Sequence, residues 1–270
     1  RAVLDGVVGD IVDIRTSENV SYHHLAASYI RGKWSKKSTG NYSMLMAKCC
    51  HDMDLLTWMK AVIRPKSVAS FGGIMQFKPE KAPAGSGSRC MVDCAIESTC
   101  PYSAYMNYIA MDLWGPYVWD SIEHLSPTLE QKIESLKTDN PYGRCVWHCD
   151  NDVVDHQSLT AEFEDGCTAT HSMTGATSKP CRQMHIIGTK GEIEGVLEDG
   201  RFVIRHPYAR AGVKEGEEFT EVETVFTADM DMHGGGDHRL VGDFVRVLKG
   251  EPHSVSSTTL EDSINGHLLG

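Results

Sequence analysis

The chain has 270 residues, and a hydrophobic share of 41% is enough to fill a sizeable core in one large domain or two small ones. A formal net charge of −11 argues against a nucleic-acid partner and gives no reason for attraction to anionic membranes. No apolar run approaches the ~20 residues of a membrane helix, and nine Cys without a signal-peptide pattern imply a reducing, cytoplasmic setting.

The opening "RAVLDGVVGDIVDI" reads as the tail of a helix, a turn and a strand. The closing "EDSINGHLLG" stops in mid-pattern for a helix, so both ends are expected to be cut from a longer protein. "GDIVDIRTSENV" (9–20) is a strand with Val12, Ile14 and Thr16 on one face. After a Lys, Ser and Gly loop (32–42), residues 43–60 read as one helix. Leu45, Cys49, Met53, Leu56 and Met59 recur there at helical spacing. "KSVASFGGIMQF" (66–77) is a second strand whose Gly pair suggests a bulge.

Residues 78–103 are loop-like, and "SPTLEQKIESLK" (126–137) is a short helix with Ser126 as N-cap and Pro127 at the first helical position. Then come "HQSLTAEF" and "CTATHSMT" around Glu164-Asp165-Gly166, and "RQMHIIG" and "EIEGVL" around Thr189-Lys190-Gly191. "RFVIRHP" follows Asp199-Gly200, and "EFTEVETVF" (218–226) alternates once more. "HGGGD" (233–237) reads as a flexible loop, and "HRLVGDFVRVLKG" (238–250) as an amphipathic helix ending at a Gly. About eight strands joined by tight turns predict an α+β fold: one large, open-faced, mainly antiparallel sheet with helices packed on one face. No G-x-G-x-x-G follows a strand, so the dinucleotide fingerprint is absent.

Chemistry concentrates at "SMLMAKCCHDMDLLTW" (43–58). On a continuous helix Lys48, His51 and Asp54 fall along one stripe, with Asp52 at its edge and Cys49, Met53 and Leu56 turned to a core. A neutral His accepts a proton near pH 7, a Lys nearby stabilises a developing alkoxide, and an Asp orients the imidazole. The competing reading is a solvated helix face with a single His.

Four stretches in order carry a resemblance: "GDIVDIRTSENVSYHHLAASYIRGKW", "MAKCCHDMDLLTWM", "CVWHCDNDVVDHQSLTAEFEDGCTATHSM" and "RQMHIIGTKGEIEG". The chain, from near residue 6 to its end, resembles the C-terminal half of the Gfo/Idh/MocA oxidoreductases, the glucose–fructose oxidoreductases and inositol dehydrogenases. The resemblance implies that residues 1–270 are a substrate-binding and oligomerisation domain. The Rossmann domain that binds NAD or NADP, with its Glu-Lys-Pro lysine, would lie outside this chain. The family's helix motif is Asp-x-x-x-His-x-x-Asp. His51 and Asp54 match its last two positions and Ala47 departs from the first, so His51 is implied as acid/base, with Lys48 taking over part of the polar role. The implied reaction is hydride exchange between a sugar or polyol carbinol and nicotinamide. Two other functions stay open: nicotinamide-dependent cleavage of a glycosidic bond, and a non-catalytic sheet module.

Further candidates follow the same logic. Tyr22, His24, Arg31 and Trp34 sit where the family's first strand leads into its active-site loop, though a structural loop with an aromatic anchor also fits. "NPYGRCVWHCDNDVVDHQ" (140–157) gathers Tyr142, Arg144, His148, Asp150, Asp152 and Asp155. Arg144, His148 and Asp152 are the favoured polyol contacts there, with Tyr142 beside them, against an alternative of charge on a strand edge. His156 is read as a satisfied sheet His. Cys90, Cys94 and Cys100, spaced C-x3-C-x5-C, with Cys50 as fourth ligand, suit structural zinc; free buried thiols are the alternative. Leu159, Ala161 and Phe163, and Val222 and Val225, alternate with small uncharged Thr160, Thr168, Thr170 and Ser172. That predicts a mildly polar open face that pairs with a copy of itself in a homodimer or tetramer.

Overall fold

Eight strands form one sheet in the order β2-β3-β4-β1-β5-β6-β7-β8. They are β1 (Ile11–Ser21), β2 (Pro65–Gly73), β3 (His156–Phe163), β4 (Thr168–Thr177), β5 (Cys181–Gly188), β6 (Glu192–Val196), β7 (Arg201–Pro207) and β8 (Phe219–Val225). The structure is a computed structural model that describes residues 2–40, 42–60, 63–207, 218–225 and 235–270. Residues 233 and 234 of the glycine-rich stretch, and Phe226 at the end of the last predicted strand, lie outside these.

Every predicted strand is present, and every pair but one is antiparallel. The exception is β1 with β4, which run parallel. The first strand in the chain is inserted between hairpins β3–β4 and β5–β6, a pairing that no local turn announces. Period-two alternation on β1 buries Ile14, Thr16, Glu18 and Val20 toward the helices. Val12, expected on that face, is exposed: the register with β5 shifts between Ile11 and Asp13, and the bulge turns its side chain out.

The predicted helix at 43–60 is two pieces, α1 (Met44–Lys48) and α2 (Cys50–Lys60). Ser43 caps the first, its hydroxyl accepting from Met46 N–H at 3.1 Å. Cys49, at φ −102° and ψ 16°, ends it before α2 restarts. The helix predicted at 126–137 is α3 (Leu129–Lys137), and its N-cap is Thr128, which forms a capping box with Gln131. Ser126 instead takes a left-handed turn. The amphipathic helix is α4 (Gly236–Leu248), and the last is α5 (Leu260–Leu269). Residues 2–8 are hydrogen-bonded turns, not the end of a helix.

Helices α1, α2 and α5 cover the middle of one sheet face. Leu45, Cys49, Met53 and Leu56 pack on Ile14, Leu159, Ala161 and Phe163, each of these eight at most 2% exposed. A fully buried side chain of the Leu, Ile or Phe kind contributes about 1.5–3 kcal/mol, so this layer is the main adhesive. Lys60 reaches from the end of α2 to Asp165 in the β3–β4 turn, 2.7 Å away. Residues 74–155 add a lobe with its own small core, Ala104, Tyr108, Val118, Trp119, Leu136 and Tyr142. The buried Asp155 carboxylate anchors the lobe to the sheet by accepting from the N–H groups of Met75 and Gln76 at 2.8–3.0 Å. It also pairs with His156, which is thus a satisfied sheet His.

The opposite face carries no helix among the described residues. It presents Ser158, Ser172, Thr168, Asp13, Ser17 and Gln183, bonded to one another across strands. Arg205 is bound there by Glu192, Glu194 and Glu221. The face is therefore polar, as the small uncharged residues predict, and more charged toward β7 and β8.

Candidate active site

A buried ion quartet forms where the middle of the sheet meets the α1–α2 break. Strand alternation turns Glu18 inward, and register sets Arg182 of β5 directly beside it. Lys48 and Asp52, four residues apart across the break, reach the same place. Lys48 Nζ lies 2.6 Å from Glu18 Oε1, and Arg182 Nε lies 2.9 Å from Glu18 Oε2 and 3.0 Å from Asp52 Oδ1. Two carboxylates and two cations balance, which is the condition for burying charge at all. Burial still pushes the Glu18 carboxyl above the usual range; Lys48 and Arg182 work against it, and Asp52 adds to it.

Behind the quartet, Thr16 Oγ1 and the fully buried His171 Nδ1 are 2.8 Å apart. Cys49, Asp52 and His171 bring ligand-type atoms within 4.8 Å of one another. A metal ion there would stand beside the Arg182 guanidinium and the Lys48 ammonium, whose charges oppose it. Burial lowers the His171 pKa and raises that of the Cys49 thiol, so both stay neutral behind the ion pairs.

In front lies a rim of rings from the segment after β1. The His24 ring stacks on Trp114, centroids 4.3 Å apart at 29°. Trp114 Nε1 donates to His23 Nδ1 at 3.0 Å. Trp114 itself has φ 64°, a left-handed conformation costly for a bulky residue, and such strain collects at binding and catalytic sites. Burial first, then the charges of Lys48, His23 and Arg182, lower the His24 pKa to about 4. A neutral imidazole thus stands close enough to Lys48 and Arg182 for both charges to act on it.

The predicted stripe of Lys48, His51 and Asp54 does not form as one unit. The break at Cys49 directs Lys48 to Glu18, while His51 is exposed at the start of α2 with Asp54 near it. Asp54 lies against α5: a Cβ added at Gly266 would stand 3.2 Å from the Asp54 Cα, so a larger residue there would push the two helices apart by a few tenths of an ångström. Burial raises the Asp54 pKa, and His51 works against the rise.

Of the predicted sugar contacts, only His24 stands beside the quartet. Arg31 is 2% exposed and donates to the carbonyls of Arg144 and Tyr102, the Tyr108 hydroxyl and Cys90 Sγ, so it is a structural cation of the lobe. Tyr142 is buried edge-on against Tyr108. Arg144 binds Asp150 and the carbonyls of Arg31 and Pro141. Asp152 caps the turn at 37–40 by accepting from the N–H groups of Lys37 and Ser38. His148 is exposed beside Ser86. These charges hold loops in place and do not converge on one pocket. Trp34 packs edge-on against Tyr42, and Tyr22 against Tyr102. Cys50 does not share a cavity with Cys90, Cys94 and Cys100; Cys145 does.

Glu18, Arg182 and Trp114 were not singled out from the sequence. A signal for the first exists: Glu18 occupies the buried parity of an alternating strand, where an unpaired charge almost never stands. Arg182 needed the register of β1 with β5, and Trp114 needed the path of the lobe.

No known family profile and no curated protein matches the chain. Solved structures do. A levoglucosan dehydrogenase in complex with NADH and levoglucosan is 14% identical, with a TM-score of 0.56 over 99% of this chain and 57% of that one. An oxidoreductase domain protein from Kribbella flavida is also 14% identical, with a TM-score of 0.56 over 99% of this chain and 58% of that one. A levoglucosan dehydrogenase complex with NADH and L-sorbose gives 0.55 at 14% identity, over 99% and 56%. These are Gfo/Idh/MocA-type oxidoreductases, so the resemblance read from the motifs holds at the level of the fold. The chain spans little more than half the length of the structures it matches.

The low His24 pKa predicts a pH effect on stability. Above the ordinary value of 6.5 the ring is neutral in both states, and it contributes no pH dependence. As pH falls from 6.5 toward about 4, the unfolded chain takes up a proton that the folded chain refuses, so stability is lost across that window. The urea midpoint of the wild type is expected to fall more steeply between pH 7 and pH 5 than that of His24→Asn. Equal slopes would show that His24 is not held neutral.

Proposed function

We propose that this chain is the substrate-side half of an NAD(P)-dependent oxidoreductase acting on a sugar or polyol. The observation that carries the reading is the grouping of Lys48, Arg182, neutral His24 and strained Trp114, with His51 exposed three residues along the chain from Lys48. Cationic donors and an imidazole suit hydroxyl groups, and an indole face suits the C–H side of a sugar ring. Neighbours of the same fold that bind NADH with levoglucosan or L-sorbose support the substrate class.

The glycine pair that opens α4, Gly235 and Gly236, lacks the spacing of a pyrophosphate-binding turn. Nicotinamide binding is assigned on this reading to a domain outside residues 1–270. What these residues do is limited and specific. Lys48 and Arg182 orient substrate oxygens, Trp114 and His24 bound the ring, and His51 accepts the proton of the hydroxyl that is oxidised. Two apolar surfaces that are exposed among the described residues support a further domain. One is a groove of about 460 Å³ over β5–β7, lined by Trp58, Met59, Ile186, Ile193, Phe202 and Val255. The other is the α4 stripe of Leu240, Val241, Phe244 and Leu248, each over 60% exposed. The open sheet face is assigned to a two-fold contact with a second copy, giving a homodimer or tetramer.

In the full-length enzyme, His51→Ala is expected to lower turnover by ~10² or more with the fold intact; near-wild-type turnover from pH 6 to 9 would remove His51 as the base. For the chain itself, light scattering at micromolar concentration is expected to give at least twice the 29.8 kDa chain mass. A monomer at that concentration would defeat the sheet-to-sheet dimer.

A further inference from the structure

Four of the nine cysteines line a cavity apart from the ion quartet. Cys90, Cys94, Cys100 and Cys145 line one cavity of about 10 Å³ in the 74–155 lobe, together with Arg31, Tyr102 and Trp147. That is room for a single water-sized sphere. Three of the thiols come from an eleven-residue span, and the fourth arrives from 45 residues further on.

The backbone brings them there by built features. Cys90 N–H donates to the Gly143 carbonyl at 3.0 Å and Cys145 N–H to the Ser88 carbonyl at 2.9 Å. These bonds flank a bridge between Arg89 and Arg144, which puts Cys90 and Cys145 diagonally across it. Asp93 holds the next turn by accepting from the N–H groups of Ser88 and Arg89 at 2.9 and 2.8 Å, which fixes Cys94.

Charge gives an independent argument. Arg31 is wholly buried in the lobe, yet none of its bonds reaches a carboxylate among the described residues; its partners are two carbonyls, a phenol and Cys90 Sγ at 3.3 Å. A buried guanidinium without an anion is unfavourable, and thiolates held by a metal ion beside it would supply that charge.

We propose that Cys90, Cys94, Cys100 and Cys145 bind one zinc ion as a closed tetrathiolate, with Arg31 offsetting part of its charge. Zn²⁺ with four thiolates carries a net charge of −2, and Arg31 brings the cluster to −1. With four protein ligands and no open position the site is structural: it ties the loop at 90–100 to the segment at 143–147. No three of these sulfurs yet lie within 4.8 Å of one another. Binding therefore draws them inward, to the S···S edge of about 3.8 Å that a Zn–S bond of ~2.3 Å implies. The proposal does not rest on the oxidoreductase reading.

The test is metal analysis of the purified chain with two single variants. Wild type and Cys50→Ser are expected to hold about one zinc per chain, and Cys145→Ser well under half of that. Cobalt added to the metal-free wild type is expected to give the sulfur-to-metal charge-transfer band of a tetrahedral site, with intensity for four thiolates. Should Cys145→Ser fail to fold, that intensity decides. Wild type with no stoichiometric zinc, a cobalt spectrum showing two thiolates or fewer, or zinc kept in Cys145→Ser and lost in Cys50→Ser would each overturn the assignment.

Discussion

The structure depends on how two carboxylates are tolerated inside it. Glu18 and Asp52 are almost completely buried, one on the strand at the centre of the sheet and the other on the helix that packs over it. Leaving either without a counter-ion is unfavourable by about 3–5 kcal/mol. Lys48 and Arg182 remove that penalty only if β1, β5 and the α1–α2 break are all in place. The same pairs fix register, because sliding β1 against β5 by one residue would turn Glu18 to the open face and leave Arg182 facing Asp52 alone. A quartet of this kind specifies one arrangement, while the apolar layer of Leu45, Met53, Leu56 and Phe163 supplies most of the binding energy between helix and sheet.

The proposed function draws on what the quartet leaves over. Lys48 and Arg182 stay partly accessible while bound to carboxylates, and donors held in place before a ligand arrives would lower the entropy lost on binding. Trp114, in a strained backbone conformation, stacks on His24 from the lobe side. The lobe is itself organised around a further buried cation, Arg31, the last residue of the π-helical turn at Leu25–Arg31 that leads from the sheet into the lobe.

Much of this was legible in the sequence. All eight strands announced themselves by alternation and by turns such as Glu164-Asp165-Gly166, where Gly166 takes φ +86°. Local patterns set such elements, so one sequence suffices to find them. What was not legible is non-local. The parallel pairing of β1 with β4 joins residues some 150 positions apart, and it alone places His171 beside Thr16. The break at Cys49 is equally hidden, since its neighbours all favour a helix; it separates Lys48 from the His51–Asp54 pair that a continuous helix would have aligned. Arg31, Tyr142, Arg144 and Asp152 look like ligand contacts in sequence because they are polar and clustered. In the fold their hydrogen bonds go to backbone groups and loop partners instead. Cys145 was overlooked as a partner of Cys90 for the same reason: 55 residues separate them in the chain, and the Arg89–Arg144 bridge that joins them is set by tertiary structure.

The central claim is that Glu18 and Lys48 are energetically one unit with Arg182 and Asp52. A double-mutant cycle with Glu18→Gln and Lys48→Met, read from urea unfolding, tests it most directly. Glu18→Gln alone should destabilise by about 3 kcal/mol or more, because two cations are then left with one carboxylate. The double variant should lose at least ~1 kcal/mol less than the sum of the two single losses. Additivity within ~0.5 kcal/mol would mean that the two side chains are merely neighbours, and would contradict the account.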